Sequence, residues 1–345
     1  PEVLVRSTNL AFSHRTVTLL SPPGNPWLTV LPVRAAQSSV WIGLTTGGEL
    51  FRVDLDAERL ELLTRLTPDE VDFGQPISLH VDDRGRFAAV ANTLGLRGLV
   101  LDLGTGARSM SLLRRDYHPE HCRFPLAFFE HAGRTLLVHA TDWNRLDISD
   151  PRSGTRLTQR PVVAWRAGEP KPLHMLDYFH SDLLVSPDSR WIVDNGWVWH
   201  PCGEVVTWSL DQWVAQSEWE SEDGPSRRSL CSREYFWNGP LCWVDGTTVA
   251  VWGFGDAEEY LIDAVRLFDV TTGRQLKWFA GPHGRLVVDE VLFAYGPEGG
   301  TSVWDIATGE RLHHDERFCP SAYHPGARHF MTVLEDGRFQ ISRLR

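Results

Sequence analysis

The segment 117–122 carries the side chains best suited to chemistry in this chain. It reads Tyr-His-Pro-Glu-His-Cys and offers two imidazoles and one thiol within a few positions. Zinc is commonly bound by these groups. The spacing is not that of a common zinc finger, and no Cys-x-x-Cys pair follows. His118, His121 and Cys122 are therefore candidate metal ligands. We favour the alternative, a polar surface loop with a tucked-in cysteine, and we predict no cofactor.

Other catalytic patterns are missing from the sequence. No Gly-x-Ser-x-Gly motif marks a nucleophilic serine, and no Gly-x-x-x-x-Gly-Lys motif offers a phosphate loop. Histidine and aspartate also gather at 174–182 and at 313–315, but a chain with 14 histidines produces such groups by chance. The residue types therefore favour binding over catalysis.

Composition narrows the classes of partner. The formal net charge is −11, which repels phosphate backbones and makes nucleic acid an unlikely partner. The five cysteines are scattered, which predicts free thiols and a cytoplasmic location. No apolar run approaches the roughly 20 residues that span a bilayer, so we expect no membrane association. The chain begins at Pro1, which leaves open whether it belongs to a larger polypeptide or complex.

A repeated turn motif organises the chain. The stretches VLDLGTGARS, LFDVTTGRQL and VWDIATGERL begin at residues 100, 267 and 303. In each, a strand ends in an apolar residue and Asp, two residues follow, and Thr-Gly then leads into another strand. Asp accepts hydrogen bonds from its own turn, and Gly supplies a positive φ. A second turn precedes each motif, so each repeat contains two hairpins and hence four strands.

Strands of this type recur at seven places along the chain. The intervals run from 36 to 62 residues, compared with about 40–45 residues for blade-type repeats. The sequence therefore predicts an all-β fold, a single seven-bladed β-propeller of four-stranded antiparallel blades. An N-terminal strand, at 16–20 or 3–6, would close the ring and protect its sheet edges.

The motifs also resemble a known family. The pattern Val303-Trp304-Asp305, the Asp-x-x-Thr-Gly turns and the Ser-Pro-Asp turn at 186–188 are similar to those of WD-repeat propellers. Only one Trp-Asp dipeptide occurs at a matching place, so quinoprotein-like propellers remain an alternative. The resemblance implies a propeller fold.

The extra length of the repeats is expected on one face of a single domain, 1–345. In a four-stranded blade, the loops between the second and third strands and between successive blades emerge on the same face. We assign to that face five long loops, at 113–122, 164–180, 195–204, 216–240 and 253–263. Loops held by a rigid scaffold are frequent binding sites.

Aromatic and acidic side chains concentrate in these loops. The candidate partner-binding residues are Trp197, Trp199, Trp219, Glu218, Glu220, Glu222, Tyr235, Phe236 and Trp237. Aromatic anchors with an acidic rim suit a protein partner, and a basic one in particular. We therefore predict a non-catalytic scaffold or sensor module that binds around blades 3–5. The alternative is a hydrolase- or lactonase-like propeller enzyme with a metal or acidic site at the mouth of the channel.

Overall fold

The computed structural model describes residues 2–166 and 168–345. Pro1 and Ala167, the latter within the predicted loop 164–180, lie outside the described residues. The strands form seven separate antiparallel sheets arranged as the blades of a propeller, so the predicted fold is confirmed. Among the described residues, neither of the two short α-helices has the length and apolar character needed to cross a bilayer.

The first strand of the chain belongs to the last blade. This strand, β1, spans Phe12–Leu20. Blade 1 comprises β2 Trp27–Pro32, β3 Val40–Thr45, β4 Glu49–Asp54 and β5 Arg59–Arg65. Blade 2 comprises β6 Ile77–Val81, β7 Phe87–Asn92, β8 Arg97–Asp102 and β9 Arg108–Leu113.

Blade 3 departs from the four-stranded pattern. It comprises β10 Leu126–His131, β11 Arg134–Asp142 and β12 Arg145–Ser149. In place of a fourth strand, the structure has an isolated bridge between Ser149 and Arg156. The chain then turns away from the sheet, and the buried Arg160 side chain donates to the Leu146 carbonyl.

Blades 4 and 5 are complete four-stranded sheets. Blade 4 comprises β13 Phe179–Val185, β14 Trp191–Val198, β15 Cys202–Ser209 and β16 Arg228–Glu234, and between β15 and β16 lie α1 Leu210–Ala215 and α2 Glu220–Asp223. Blade 5 comprises β17 Leu241–Trp243, β18 Thr248–Phe254, β19 Ile262–Asp269 and β20 Arg274–Ala280.

The last two blades close the ring. Blade 6 comprises β21 Arg285–Asp289, β22 Val291–Gly296, β23 Gly300–Trp304 and β24 Arg311–Asp315. Blade 7 comprises β25 Ala322–His324, β26 His329–Val333 and β27 Arg338–Leu344. Its fourth strand is β1, which pairs with β27 from Phe12 opposite Leu344 to Val17 opposite Phe339. The predicted closure by an N-terminal strand is therefore confirmed.

The Asp-x-x-Thr-Gly motifs form the tight turns that the sequence predicts. Asp102 Oδ1 accepts hydrogen bonds from the backbone N–H groups of Gly104, at 2.9 Å, and Thr105, at 3.0 Å. Gly106 has a φ of +72°, a conformation that side chains with a Cβ rarely adopt. The turn thereby joins the third strand of blade 2, β8, to its outer strand, β9.

The prediction of one continuous loop over 216–240 is wrong, because the strand β16 lies within this range. Residues 210–227 join the third strand of blade 4 to its fourth, β16, and only 235–240 lead on to blade 5. The sequence RSLCSRE of β16 alternates with many polar residues because one side of this outer strand faces solvent. Such a polar sequence is typical of a loop, which is why the prediction placed these residues in one.

The strand order assigns each connection to a face. We call the end of the ring with the second-to-third and interblade connections the upper face. It carries the connections 114–125, 143–144, 199–201, 235–240 and 255–261. The predicted loop 195–204 is mostly strand, because β14 and β15 leave only three residues between them. Residues 210–227 leave from the opposite face and fold along the rim between blades 3 and 4.

Candidate functional site

Aromatic and histidine side chains from four upper-face connections and strand ends meet beside blades 3 and 4. We call this group the aromatic–histidine patch, and it comprises Tyr117, His118, His121, Trp143, Phe179, Trp197, Trp199 and Trp237. The sequence analysis treated the histidines and the tryptophans as separate candidates. The structure brings them together.

The base of the patch is buried. Phe179 and Trp197 stack with ring centroids 4.1 Å apart and planes 6° from parallel. Trp197 also donates a hydrogen bond from Nε1 to the buried Cys122 sulfur at 3.2 Å. Phe179, Trp197 and Cys122 are each no more than 2% exposed. Trp197, predicted as a contact residue, therefore supports the patch from below.

The top of the patch is open to solvent. Tyr117 is 43% exposed and Trp199 42% exposed, although both contact the buried base. Tyr117 stacks on Phe179 at 5.7 Å, and the ring of Trp199 lies nearly perpendicular to that of Trp197, with centroids 5.2 Å apart. The exposed rings are thus held by rigid neighbours and offer a preformed apolar surface.

The loop after blade 4 is held close to β15. An ideal Cβ at Gly203 would lie 1.8 Å from the Phe236 carbonyl oxygen, so only glycine permits this approach. Trp237 stacks on Trp197 with centroids 5.2 Å apart, and its Nε1 donates to the His121 carbonyl at 2.9 Å. Tyr235, at the start of the loop, is 59% exposed.

Three side chains at the edge of the patch could hold a metal ion. Glu120 Oε1 lies 3.3 Å from His118 Nδ1 and 3.5 Å from His121 Nε2. Ligand atoms around a tetrahedral zinc ion are separated by about 3.3–3.6 Å, given bonds of about 2.0–2.2 Å. A ligand atom from each of the three residues lies within 4.8 Å of the others.

Cys122 does not join this set. Burial raises the pKa of the Cys122 thiol to about 11, and its sulfur accepts the Trp197 hydrogen bond. A metal ligand must be the thiolate, which this environment disfavours. Glu120 offers the third candidate ligand atom instead. Glu120 lies within the predicted histidine motif, but it was not among the predicted metal ligands, which were His118, His121 and Cys122.

The other predicted acidic residues lie along the rim. Glu220 is fully buried and accepts a hydrogen bond from Ser226. Glu222 is 7% exposed and pairs with the buried Arg160. The expectation that both would form an exposed acidic rim is therefore wrong. Glu220 holds the segment 210–227 together internally, and Glu222 fastens it to Arg160, which follows blade 3.

Glu218 and Trp219, the other two predicted contact residues in the segment 210–227, are at least partly exposed to solvent. Glu218 is exposed, whereas Trp219 is half-buried. Trp219 stacks on His174 at 4.3 Å and lies 5.0 Å from the guanidinium of Arg160. Both residues are therefore part of the rim segment and are separate from the aromatic–histidine patch.

The channel at the centre of the ring contains a cavity of about 950 Å³. It is lined by the innermost strands of blades 1, 6 and 7, and the charged side chains Arg34, Arg285 and Glu298 reach it. Within the described part of the chain, the one group of three clustered metal-ligating residues is at the patch. Beside this cavity, His283 Nδ1 lies 2.7 Å from Asp263 Oδ1 and His283 Nε2 lies 3.6 Å from Glu298 Oε2, so carboxylates are present there, but their ligand atoms do not meet as the three at the patch do.

Several members of the patch were missed in the sequence. Tyr117 adjoins the histidine motif, so its neighbours gave a signal that could have found it. Phe179 begins an apolar strand, and Trp143 occupies a short turn. Neither position has a local pattern that separates a patch residue from an ordinary core residue.

Comparisons with known proteins give no closer assignment. No family model matches the chain, and no curated protein matches its sequence. The resemblance to WD-repeat propellers therefore rests on the turn motifs, and the structure supports the propeller fold.

Proposed function

We propose that this protein is a non-catalytic interaction module, a scaffold or sensor, that binds a basic protein segment through the aromatic–histidine patch. The observation that carries the proposal is the exposure of Tyr117 and Trp199 above a buried, stacked base. Aromatic side chains that lose little freedom on binding are frequent anchors of protein interfaces.

The rigidity of the patch favours binding of a partner, because its side chains are already ordered. Trp199 is fixed edge-on against Trp197 and lies 5.1 Å from the His118 ring. Because these contacts already order the side chain, a partner has to immobilise few rotatable bonds. A larger share of the contact energy is then available for affinity.

Acidic side chains beside the patch favour a basic partner. They lie on the connections 199–201, 235–240 and 255–261 or on the adjoining strand ends, namely Glu204, Glu234, Asp256, Glu258 and Glu259. The Glu234 backbone N–H donates to the Asp256 carbonyl at 2.8 Å, so two of these segments are adjacent. No cationic nitrogen of the described residues lies within 4.0 Å of these carboxylates. Such groups attract basic segments and speed their association.

Labelled peptides test the proposal directly. We would measure fluorescence anisotropy with three peptides of equal length and equal apolar content, one basic, one neutral and one acidic. The basic peptide is expected to bind most tightly, and its affinity should fall with added salt. Equal binding of all three peptides would contradict the predicted charge preference.

Matched tryptophan variants locate the binding surface. Trp199→Ala should weaken binding of the basic peptide by about 2 kcal/mol, as interface aromatics commonly do. Trp278→Ala is the control, because Trp278 is 37% exposed and lies on the outer strand of blade 5, away from the patch. Equal losses in the two variants would place binding elsewhere.

Metal analysis discriminates the enzyme alternative. We expect the purified protein to bind the peptide without stoichiometric metal. Stoichiometric zinc that is lost together with a hydrolytic activity in His118→Ala and His121→Ala would favour a metal-dependent enzyme instead. The five free cysteines support a reducing compartment as the place where this module works.

A further inference from the structure

Two arginine side chains point into the same space between blades 4 and 5. Arg233 lies on β16, two residues after Cys231, and Arg266 on β19 pairs with Val251. Cys231 and Val251 both belong to the apolar cluster between these blades. Because alternate residues of a strand, and residues directly opposite in a pair, share a face, Arg233 and Arg266 both face this interface.

Both side chains are buried and short of partners. Arg233 is 1% exposed and Arg266 is 8% exposed. The Arg233 Nη1 donates to the Trp252 carbonyl at 2.8 Å. The Nε and Nη2 atoms of both arginines have no hydrogen-bond partner among the described residues.

Aromatic rings and a like charge surround the two groups. The Arg233 guanidinium lies 4.8 Å from the Phe236 ring centroid, and that of Arg266 lies 5.6 Å from the Phe268 ring centroid. Burial lowers the pKa of Arg233, and the nearby charge of Arg266 lowers it further. Among the described residues, no carboxylate is one of the groups that shift the pKa of Arg233.

Such an arrangement is costly without a counter-charge. A guanidinium stays protonated in proteins, and an unpaired buried charge costs several kcal/mol. A water molecule would satisfy the hydrogen-bond donors, but it would leave two like charges facing each other. An anion satisfies the donors and also offsets the repulsion.

We propose that a small inorganic anion of the size of chloride binds between Arg233 and Arg266 in the interface of blades 4 and 5. It accepts hydrogen bonds from the Nε and Nη2 atoms that lack partners. A small ion is favoured because these donors have almost no contact with solvent and lie between two packed sheets. The ion joins the outer strand of blade 4 to blade 5, next to the loop that carries Phe236 and Trp237.

Thermal unfolding at constant ionic strength measures the stabilisation. Sodium chloride would be exchanged for sodium gluconate, whose anion is too large for the site. Because an ion that binds only the folded state stabilises it, the midpoint should rise with chloride and then level off. The rise should be about 4 °C at 100 times the dissociation constant for a chain of this size. Equal midpoints in the two salts would overturn the proposal.

The variant Arg266→Met tests the residues involved. It keeps the length of the side chain but removes the charge, so the chloride response should vanish. In gluconate the variant should be at least as stable as the wild type, because the repulsion is gone. Arg59→Met is the control, since Arg59 is exposed on the outer strand of blade 1 and should leave the chloride response unchanged.

Bromide provides a readout that does not depend on any variant. Crystals of the wild-type protein grown in bromide should show an anomalous peak between the two guanidinium groups. A water molecule there without anomalous signal would overturn the proposal, even if Arg266→Met failed to fold. Stabilisation by sulfate or phosphate without any by chloride would overturn the assignment of a small monovalent ion.

Discussion

The Trp237 indole donates a hydrogen bond of 2.9 Å to the backbone carbonyl of His121, across 116 positions of the sequence. It joins the connection that enters blade 3 to the connection that leaves blade 4. Trp237 also stacks on the buried Trp197, so the hydrogen bond and the stacking fix the same ring. The loop with the histidines and the loop with the aromatic residues therefore depend on each other for their position.

Replacement of Trp237 by Phe should loosen the histidine loop. The variant keeps a ring for stacking but loses the hydrogen bond, which should lower the free energy of unfolding by about 1 kcal/mol. Hydrogen exchange of the backbone amides at 118–122 should become faster. Tyr235→Phe is the control, because Tyr235 is exposed. Unchanged exchange at 118–122 would show that the two loops are held independently.

The two tryptophans of β14 and its following turn should behave in opposite ways. Trp197→Ala removes a buried ring and should destabilise the protein by about 3–5 kcal/mol. Trp199→Ala removes a ring that is 42% exposed but contacts Trp197, Phe179 and His118, and it should cost about 1 kcal/mol. Urea unfolding of both variants measures the difference. Similar losses of stability would mean that Trp199 belongs to the core and is not a free contact residue.

A methyl group at Gly203 should displace the loop that carries Phe236. The added Cβ would fall 1.8 Å from the Phe236 carbonyl oxygen, so either β15 or the loop has to shift. We expect Gly203→Ala to cost about 1–3 kcal/mol and to weaken peptide binding at the patch. Gly299→Ala is the control, because its Cβ would meet no atom closer than 4.0 Å.

Stability should fall as the pH decreases below neutrality. Burial lowers the pKa of His139 and of His329 from 6.5 to about 4. Between these pH values the unfolded chain binds protons that the folded protein does not, so acid favours unfolding. Each histidine can reduce the free energy of unfolding by up to about 3 kcal/mol across this window.

Urea unfolding from pH 7.5 to pH 4.5 measures this dependence. His139→Gln removes one of the two groups and should therefore flatten the slope between pH 6.5 and pH 4.5. The variant is expected to be less stable at neutral pH, because the His139 ring pairs with Ser149. A slope equal to that of the wild type would show that His139 is protonated in the folded state.

The cysteines should differ in reactivity. Burial raises the pKa of Cys122 to about 11, whereas Cys319 is exposed. At pH 8 only about one Cys122 thiol in a thousand would be ionised, and the thiolate is the reactive form. Iodoacetamide followed by peptide mass analysis should label Cys319 long before Cys122. Rapid labelling of Cys122 would contradict the buried base of the patch.

The propeller could be predicted because its signals are local. The turn at Asp102 is completed within four residues, since Asp102 accepts hydrogen bonds from Gly104 and Thr105 and Gly106 ends it. Repeats of this turn fix the spacing of hairpins without reference to distant parts of the chain. Ring closure by β1 followed from the same count of strands.

The loop 216–240 shows where local signals failed. Ser209 caps α1 by accepting a hydrogen bond from the Gln212 backbone, and α1 buries Trp213 beside Trp208 of blade 4. Glu222 then pairs with Arg160, which lies 62 positions earlier in the chain. Acidic residues in a row suggested solvent, but their burial depends on an arginine that no local pattern connects to them.

The sequence by itself determined the architecture of this protein, because the residues of a turn lie next to each other in the chain. The tertiary structure decided which aromatic residues support the patch and which remain exposed. Trp197 and Trp199 are two positions apart, yet the first is 2% exposed and the second 42%. The difference arises from Phe179, Cys122 and Trp237, which reach Trp197 from another strand and from two connections, and such contacts exist only after the blades have assembled.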